Sequence, residues 1–140
     1  MSPGARTPAR IAADCAPPLL LMGVIFALSA QPDLGSGLGA PGFVARKIVH
    51  MCEYGLLWLL SLRALGSSRP AAAAVIAVLY AVTDEWHQSF VSGRHGSAVD
   101  VAIDSLGIAV AYALWRRLGA RRAARTAGRS GAVPTRSPEP

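Results

Sequence analysis

The stretch Ala71–Arg94, AAAAVIAVLYAVTDEWHQSFVSGR, decides how this chain is read. Up to Thr83 it carries no charge and only one tyrosine and one threonine. From Asp84 it places two carboxylates, an imidazole, an amide and a guanidinium in eleven residues. Such a segment is a greasy helix with a polar mouth. The rest of the chain says which medium surrounds it.

Apolar residues make up 52% of the 140 residues and charged residues 16%, whereas a soluble domain carries about 25% charged residues. The mean hydropathy is +0.37. Both values favour a membrane protein of one domain. The formal net charge of +6 is concentrated at the end, with seven of the fourteen basic residues after Trp115. Behind so apolar a body, that basic tail points to a membrane surface and not to nucleic acid.

Crossing a bilayer takes about 20 mainly apolar residues. Besides Ala71–Phe90, three more segments come near that length: Ile11–Ala30, Ile48–Leu65 and Val99–Leu118. The expected fold class is therefore all-α, an integral membrane four-helix bundle. Residues 1–10 form an N-terminal tail, 11–118 the transmembrane domain, and 119–140 a basic tail without regular structure. Pro17-Pro18 should kink the first helix or start it late. The Gly- and Pro-rich QPDLGSGLGAPG reads as a loop, GSSRP and VSGRHGSA as turns. A cleavable signal peptide is the rival reading of the first span, but Leu28 is bulky where the cleavage site wants a small residue.

Four spans put both termini and the loop between spans two and three on one side. That side holds eleven arginines, against Arg46, Lys47 and Arg94 on the other. Both termini are thus expected in the cytoplasm, with Trp86 and Trp115 near opposite interfaces. Cys15 and Cys52 then lie near opposite membrane faces, form no CxxC, and read as buried inert thiols.

On this topology His50 and Glu53 lie in the first turns of span two. Asp84, Glu85, His87 and Gln88 lie in the last turns of span three, and Asp100 and Asp104 in the first turns of span four. Arg94 sits in the outer loop. These groups occupy one layer about 10 Å thick. Asp100 and Asp104 share a helix face, continued by Gly107 and Ala111, over which a neighbouring helix can pack closely. Carboxylates facing lipid are costly, so three helices should aim their polar faces at a common cavity. His95 and Glu85 read as facing water or headgroups, Asp33 as a loop or capping residue. Arg94 has a plain structural alternative as the partner of Asp100 or Asp104.

Three segments, FALSAQP (Phe26–Pro32), KIVHMCEYGLL (Lys47–Leu57) and YAVTDEWHQSFVSGRHGSAVDVAIDSLG (Tyr80–Gly107), resemble the VanZ-like family of small bacterial membrane proteins. DEWHQ-x4-GR-x5-D-x3-D is the most specific part, while Ala30 departs from the serine often found there. The resemblance implies a four-helix protein of the bacterial plasma membrane, and for the founding member a link to glycopeptide resistance of the teicoplanin type. The family pattern falls on His50, Glu53, Asp84, Glu85, His87, Gln88, Arg94, Asp100 and Asp104.

The first functional expectation is an activity on an envelope lipid or lipid-linked cell-wall precursor at the outer leaflet. His87 and His50 would serve as acid or base, with Asp84 and Glu53 completing the catalytic set. Arg94, Gln88, Asp100 and Asp104 would bind substrate, with Arg94 on a phosphate or carboxylate. A divalent metal is left open: the oxygens suit Mg²⁺ or Ca²⁺ and the histidines Zn²⁺, but no spacing matches a known metal loop. The second expectation is a non-enzymatic binder that shields an envelope ligand or docks a partner. Homo-oligomers are also open, through Gly107, Ala111 and the alanines of span three. Transport ranks last, because the polar groups stop near one face.

Overall fold

The computed structural model describes residues 7–32 and 39–130. They form four helices and, among the described residues, no strand: α1 (Pro8–Ser29), α2 (Gly39–Leu65), α3 (Pro70–Gln88) and α4 (Ala98–Ser130). Three of them contain segments long and apolar enough to cross a membrane, namely Pro8–Ser29, Pro41–Leu65 and Ala98–Thr126. The polar end of α3 keeps it outside that set. The expectation of four spans is thus met by four helices, of which three qualify by length and composition.

Helix α1 starts with Thr7 as N-cap, whose side chain accepts from the Arg10 amide at 3.4 Å, and with Pro8 in the first turn. Proline there sacrifices an amide that has no helical partner anyway. The helix then runs through Pro17 and Pro18, so the pair does not delay its start. Pro18, Ile25 and Ser29 form its buried face.

Helix α2 begins nine residues before Ile48 and absorbs the Pro41-Gly42 pair that reads as loop in the sequence; a proline within the first turn is compatible with a helix. Asp33 lies outside the described residues. Tyr54, Leu57, Trp58, Ser61 and Leu62 recur at three- and four-residue spacing and are all buried, making α2 the spine against which α1, α3 and α4 pack. In α3 the buried stripe is Ala73, Ala77, Ala81, Asp84 and Gln88. Three alanines four residues apart bring the backbones close, and the same stripe then turns polar. Helix α4 is capped by Ser97, whose Oγ accepts from the Val99 amide at 3.1 Å.

The chain from Ala120 is the main difference in extent. It is helical to Ser130, because Ala and Arg are strong helix formers and no proline intervenes before Pro134.

Helices α2 and α4 make the closest crossing. A Cβ on Gly107 would run into the Met51 backbone, and one on Gly55 would come within 3.1 Å of the Gly107 carbonyl. Further along, Trp58 meets Tyr112 and Trp115 edge-on at 5.7 and 6.0 Å, and its indole donates to the Pro70 carbonyl at 3.2 Å. Large apolar side chains remain exposed on every helix, among them Leu20, Leu56, Leu79 and Leu114. In lipid that exposure costs nothing, and helix association rests on close packing and polar contacts. The small-residue faces of Gly107 and of Ala73, Ala77 and Ala81 are used within the chain. Both cysteines are free; Cys15 is half-buried, and Cys52 is exposed where a buried thiol was expected.

Candidate functional site

The start of α2, the end of α3, the α3–α4 connection and the start of α4 enclose a partly open cavity of about 270 Å³. Helix α2 contributes Phe43, Arg46, Lys47 and His50. Helix α3 contributes Glu85 and Gln88, the connection Gly93, Arg94 and His95, and α4 Asp100 and Asp104. The α2 and α4 walls meet at two rungs, the first an ion pair and the second a looser approach. Lys47 Nζ lies 2.5 Å from Asp100 Oδ2, and His50 Nδ1 lies 3.8 Å from Asp104 Oδ1. Lys47 and His50 share a face of α2 as Asp100 and Asp104 share one of α4, and the Gly107 crossing lets the two faces meet. Lys47 also sits over the Phe43 ring, 5.1 Å from its centroid.

On the opposite wall the Glu85 carboxylate accepts from the Ser97 amide at 2.9 Å, fastening the end of α3 to the start of α4. A Cβ on Gly96 would collide with the Glu85 carbonyl, so this junction requires glycine.

Behind the cavity runs a buried polar chain. Ser29 Oγ donates to Asp84 Oδ2 at 2.8 Å. Gln88 Nε2 donates to the same oxygen at 3.0 Å and to Ser29 Oγ at 3.3 Å. Arg94 Nη1 reaches Gln88 Oε1, and Nη2 the Leu28 carbonyl, each at 3.4 Å. Ser29, Asp84 and Gln88 are all at most 6% exposed. The chain thus joins FALSAQP to DEWHQ and to the following loop, the segments that carry the sequence resemblance.

The VanZ/LLP1 family model matches residues 19–119, most of the chain. The chain belongs to the VanZ-like family. No curated protein and no solved structure matches it. Family membership and the apolar helices together mark a multi-pass membrane protein.

The VanZ-like residues divide in space. His50, Gln88, Arg94, Asp100 and Asp104 line the cavity. Asp84 lies behind it, held by Ser29 and Gln88. His87 turns instead toward α1 and stacks on Phe26 with ring centroids 4.1 Å apart. Glu53 is half-buried and does not line the cavity. Arg94 is not the partner of the α4 aspartates: Lys47 holds Asp100, and Asp104 lies nearest His50. Glu85, read as a surface group, lines the cavity and is 5% exposed, whereas His95 is exposed as read and borders the cavity from the α3–α4 connection.

Several residues escaped the sequence reading. Lys47 was legible, three residues before His50 and hence on its face of the helix. Phe43 and Arg46 lie between the stretch read as loop, which ends at Gly42, and the span read from Ile48. Ser29 had only the short FALSAQP element to point to it. Among the described residues no three His, Cys, Asp or Glu side chains gather as a metal set. Buried side-chain atoms that lack a hydrogen-bond partner include Tyr54 Oη, Asp84 Oδ1, Asp104 Oδ2 and Arg94 Nε. Polar capacity is thus left over around the cavity and directly beneath it.

Proposed function

We propose that this VanZ-like protein is a four-helix integral protein of a bacterial plasma membrane, with α3 as the fourth span and both termini in the cytoplasm. Its cavity opens on the extracytoplasmic side and binds the headgroup of an envelope lipid or lipid-linked cell-wall precursor. The observation that carries this reading is the concentration of Arg46, Lys47, His50, Arg94, Asp100 and Asp104 around one cavity at one end of apolar helices. An amphiphile in the outer leaflet presents its headgroup at that depth, and the skew of basic residues toward the other end supports the orientation.

Binding is favoured over turnover because Asp84, His87 and Glu53 stand away from the cavity. Chemistry at this site would fall to the His50–Asp104 pair, in which the carboxylate can orient the imidazole as acid or base. Shielding of an envelope ligand is also how the family's association with glycopeptide resistance would apply to this chain.

The test is mass spectrometry of lipids that copurify with the protein in mild detergent. One lipid class should be enriched over the bulk membrane extract and lost in His50→Trp, which fills the cavity. Identical lipid profiles for both proteins and the bulk extract would refute the reading. A ligand that is chemically altered by the wild type, but not by His50→Gln, would move the protein to the enzymatic reading.

A further inference from the structure

We propose that Arg94 is an anion subsite for a phosphate group, and that the buried chain Gln88–Asp84–Ser29 positions it. The proposal rests on the cavity being a ligand site and adds the chemical class of the ligand and the residues that set its affinity.

A guanidinium stays charged in any protein environment and carries five donors. Arg94 lines the cavity, half-buried. Among the described residues its guanidinium makes two hydrogen bonds, both to neutral oxygens at 3.4 Å, long for charge-assisted bonds of about 2.7–2.9 Å. Among the described residues no carboxylate lies within ion-pair distance of it, and its Nε is buried without a partner. The other charged groups of the cavity wall are engaged differently. Asp100 holds Lys47, Asp104 faces His50, and Glu85 accepts from the Ser97 amide. Among the described residues Arg94 is thus a cavity cation without an ion pair, and a bidentate anion answers its fork geometry.

The chain behind it fixes how Arg94 is presented. Asp84 Oδ2 accepts from the Gln88 amide, which turns the NH₂ inward. Gln88 Oε1 must then face Arg94. The Ser29 hydroxyl spends its one proton on Asp84 and accepts from Gln88, which closes the arrangement. Asp84 thus acts on Arg94 through Gln88 without reaching the cavity. The phosphate could belong to a lipid headgroup or be free in solution; the chemistry at Arg94 is the same.

The test uses the full chain in nanodiscs. Retention of phosphatidylglycerol and of a phosphate-free diacyl glycolipid is measured by native mass spectrometry, with and without inorganic phosphate. The wild type should retain phosphatidylglycerol over the glycolipid. Arg94→Lys, which keeps the charge and loses the fork, should weaken retention about tenfold, or about 1.4 kcal/mol. Gln88→Glu should do the same because its new carboxylate occupies Arg94 directly; its place beside Asp84 also lowers thermal stability, so retention is compared at a temperature where both proteins are folded. A purely structural role for Gln88 would lose retention only in step with unfolding. Asp84→Asn should lower retention by freeing the amide to flip. Displacement by phosphate alone at equal concentration would assign the subsite to free phosphate. If Arg94→Lys and Arg94→Gln retain phosphatidylglycerol like the wild type, the subsite is refuted. If the glycolipid is retained equally well and is lost in His50→Trp, the cavity reading stands and the phosphate subsite falls. If no amphiphile is retained and inorganic phosphate does not bind, both fall.

Discussion

The Ser29 hydroxyl donates to the Asp84 carboxylate at 2.8 Å, joining residues 55 positions apart at a point where each is 2% exposed. It ties the end of α1 to the polar end of α3. An acceptor at this depth has no water to fall back on, so losing its donor leaves it unsatisfied. Ser29→Ala should destabilise the protein by about 1–2 kcal/mol, seen as a lowered midpoint of denaturant unfolding in detergent. Ser105 is the control, since its hydroxyl bonds only the Val101 carbonyl of its own helix. Ser105→Ala should stay within about 0.5 kcal/mol of wild type. Equal effects at the two positions would contradict the interhelical role of Ser29.

A second expectation concerns the α2–α4 crossing. The first atom that a side chain adds at Gly107 meets backbone at Met51, which cannot swing aside as a flexible side chain could. Gly107→Ala should cost about 1–3 kcal/mol, the usual range for overpacking. Because the rungs Lys47–Asp100 and His50–Asp104 are brought together by this crossing, the same substitution should also weaken ligand retention. Gly119, on the same helix, has nothing near its Cβ position. Gly119→Ala should be neutral or stabilising by up to about 1 kcal/mol. Unfolding midpoints of the two variants decide the matter; a neutral Gly107→Ala would mean that the helices can move apart freely.

The comparison of sequence with structure follows what each signal measures. Hydropathy locates helices because the bilayer imposes a length, and it found all four. It misplaced their ends where Gly39–Gly42 reads as loop and Ala120–Ser130 as a structureless tail. Helix ends depend on capping and propensity, not on hydrophobicity. Helical periodicity put Asp100 and Asp104 on one face with Gly107, and that face is the one α2 packs on. Periodicity says which residues share a face but not which helix the face meets. His87 and Asp84 are three residues apart on α3, and both end up facing α1 or the interior behind the cavity. Glu85, one residue further round than Asp84, reaches the cavity. Only the rotation of α3 against its neighbours could decide that. Pairing of the cations was likewise illegible, because Lys47 takes the aspartate that the loop arginine seemed placed to hold.

The Lys47–Asp100 rung should be measurable as a coupling. Both side chains are about a fifth to a quarter exposed, so the pair is neither fully screened nor fully buried. A double-mutant cycle with Lys47→Met and Asp100→Asn should give a coupling energy of about 1 kcal/mol, within the range for contacting residues. The double variant should thus be more stable than the sum of the single losses implies. Strict additivity would show that the two helices are held by packing at Gly107 alone.

The last expectation concerns topology, and it separates α3 as a span from α3 as a helix lying among spans. In a Cys15→Ser, Cys52→Ser background, single cysteines are placed at exposed positions: Ser67 between α2 and α3, Ser92 between α3 and α4, and Thr126 near the end of α4. A membrane-impermeant maleimide applied to intact cells should label Ser92→Cys directly. Ser67→Cys and Thr126→Cys should react only after permeabilisation. If positions 67 and 92 label from the same side, α3 does not cross, and the polar end of DEWHQ lies elsewhere than at the outer rim. If position 92 is reached only from within while 67 and 126 are reached from outside, the protein is inverted, and its cavity would meet cytoplasmic headgroups. The arginine skew argues against that inversion. Each of those eleven side chains would have to be translocated across the membrane, whereas the expected orientation moves only Arg46, Lys47 and Arg94.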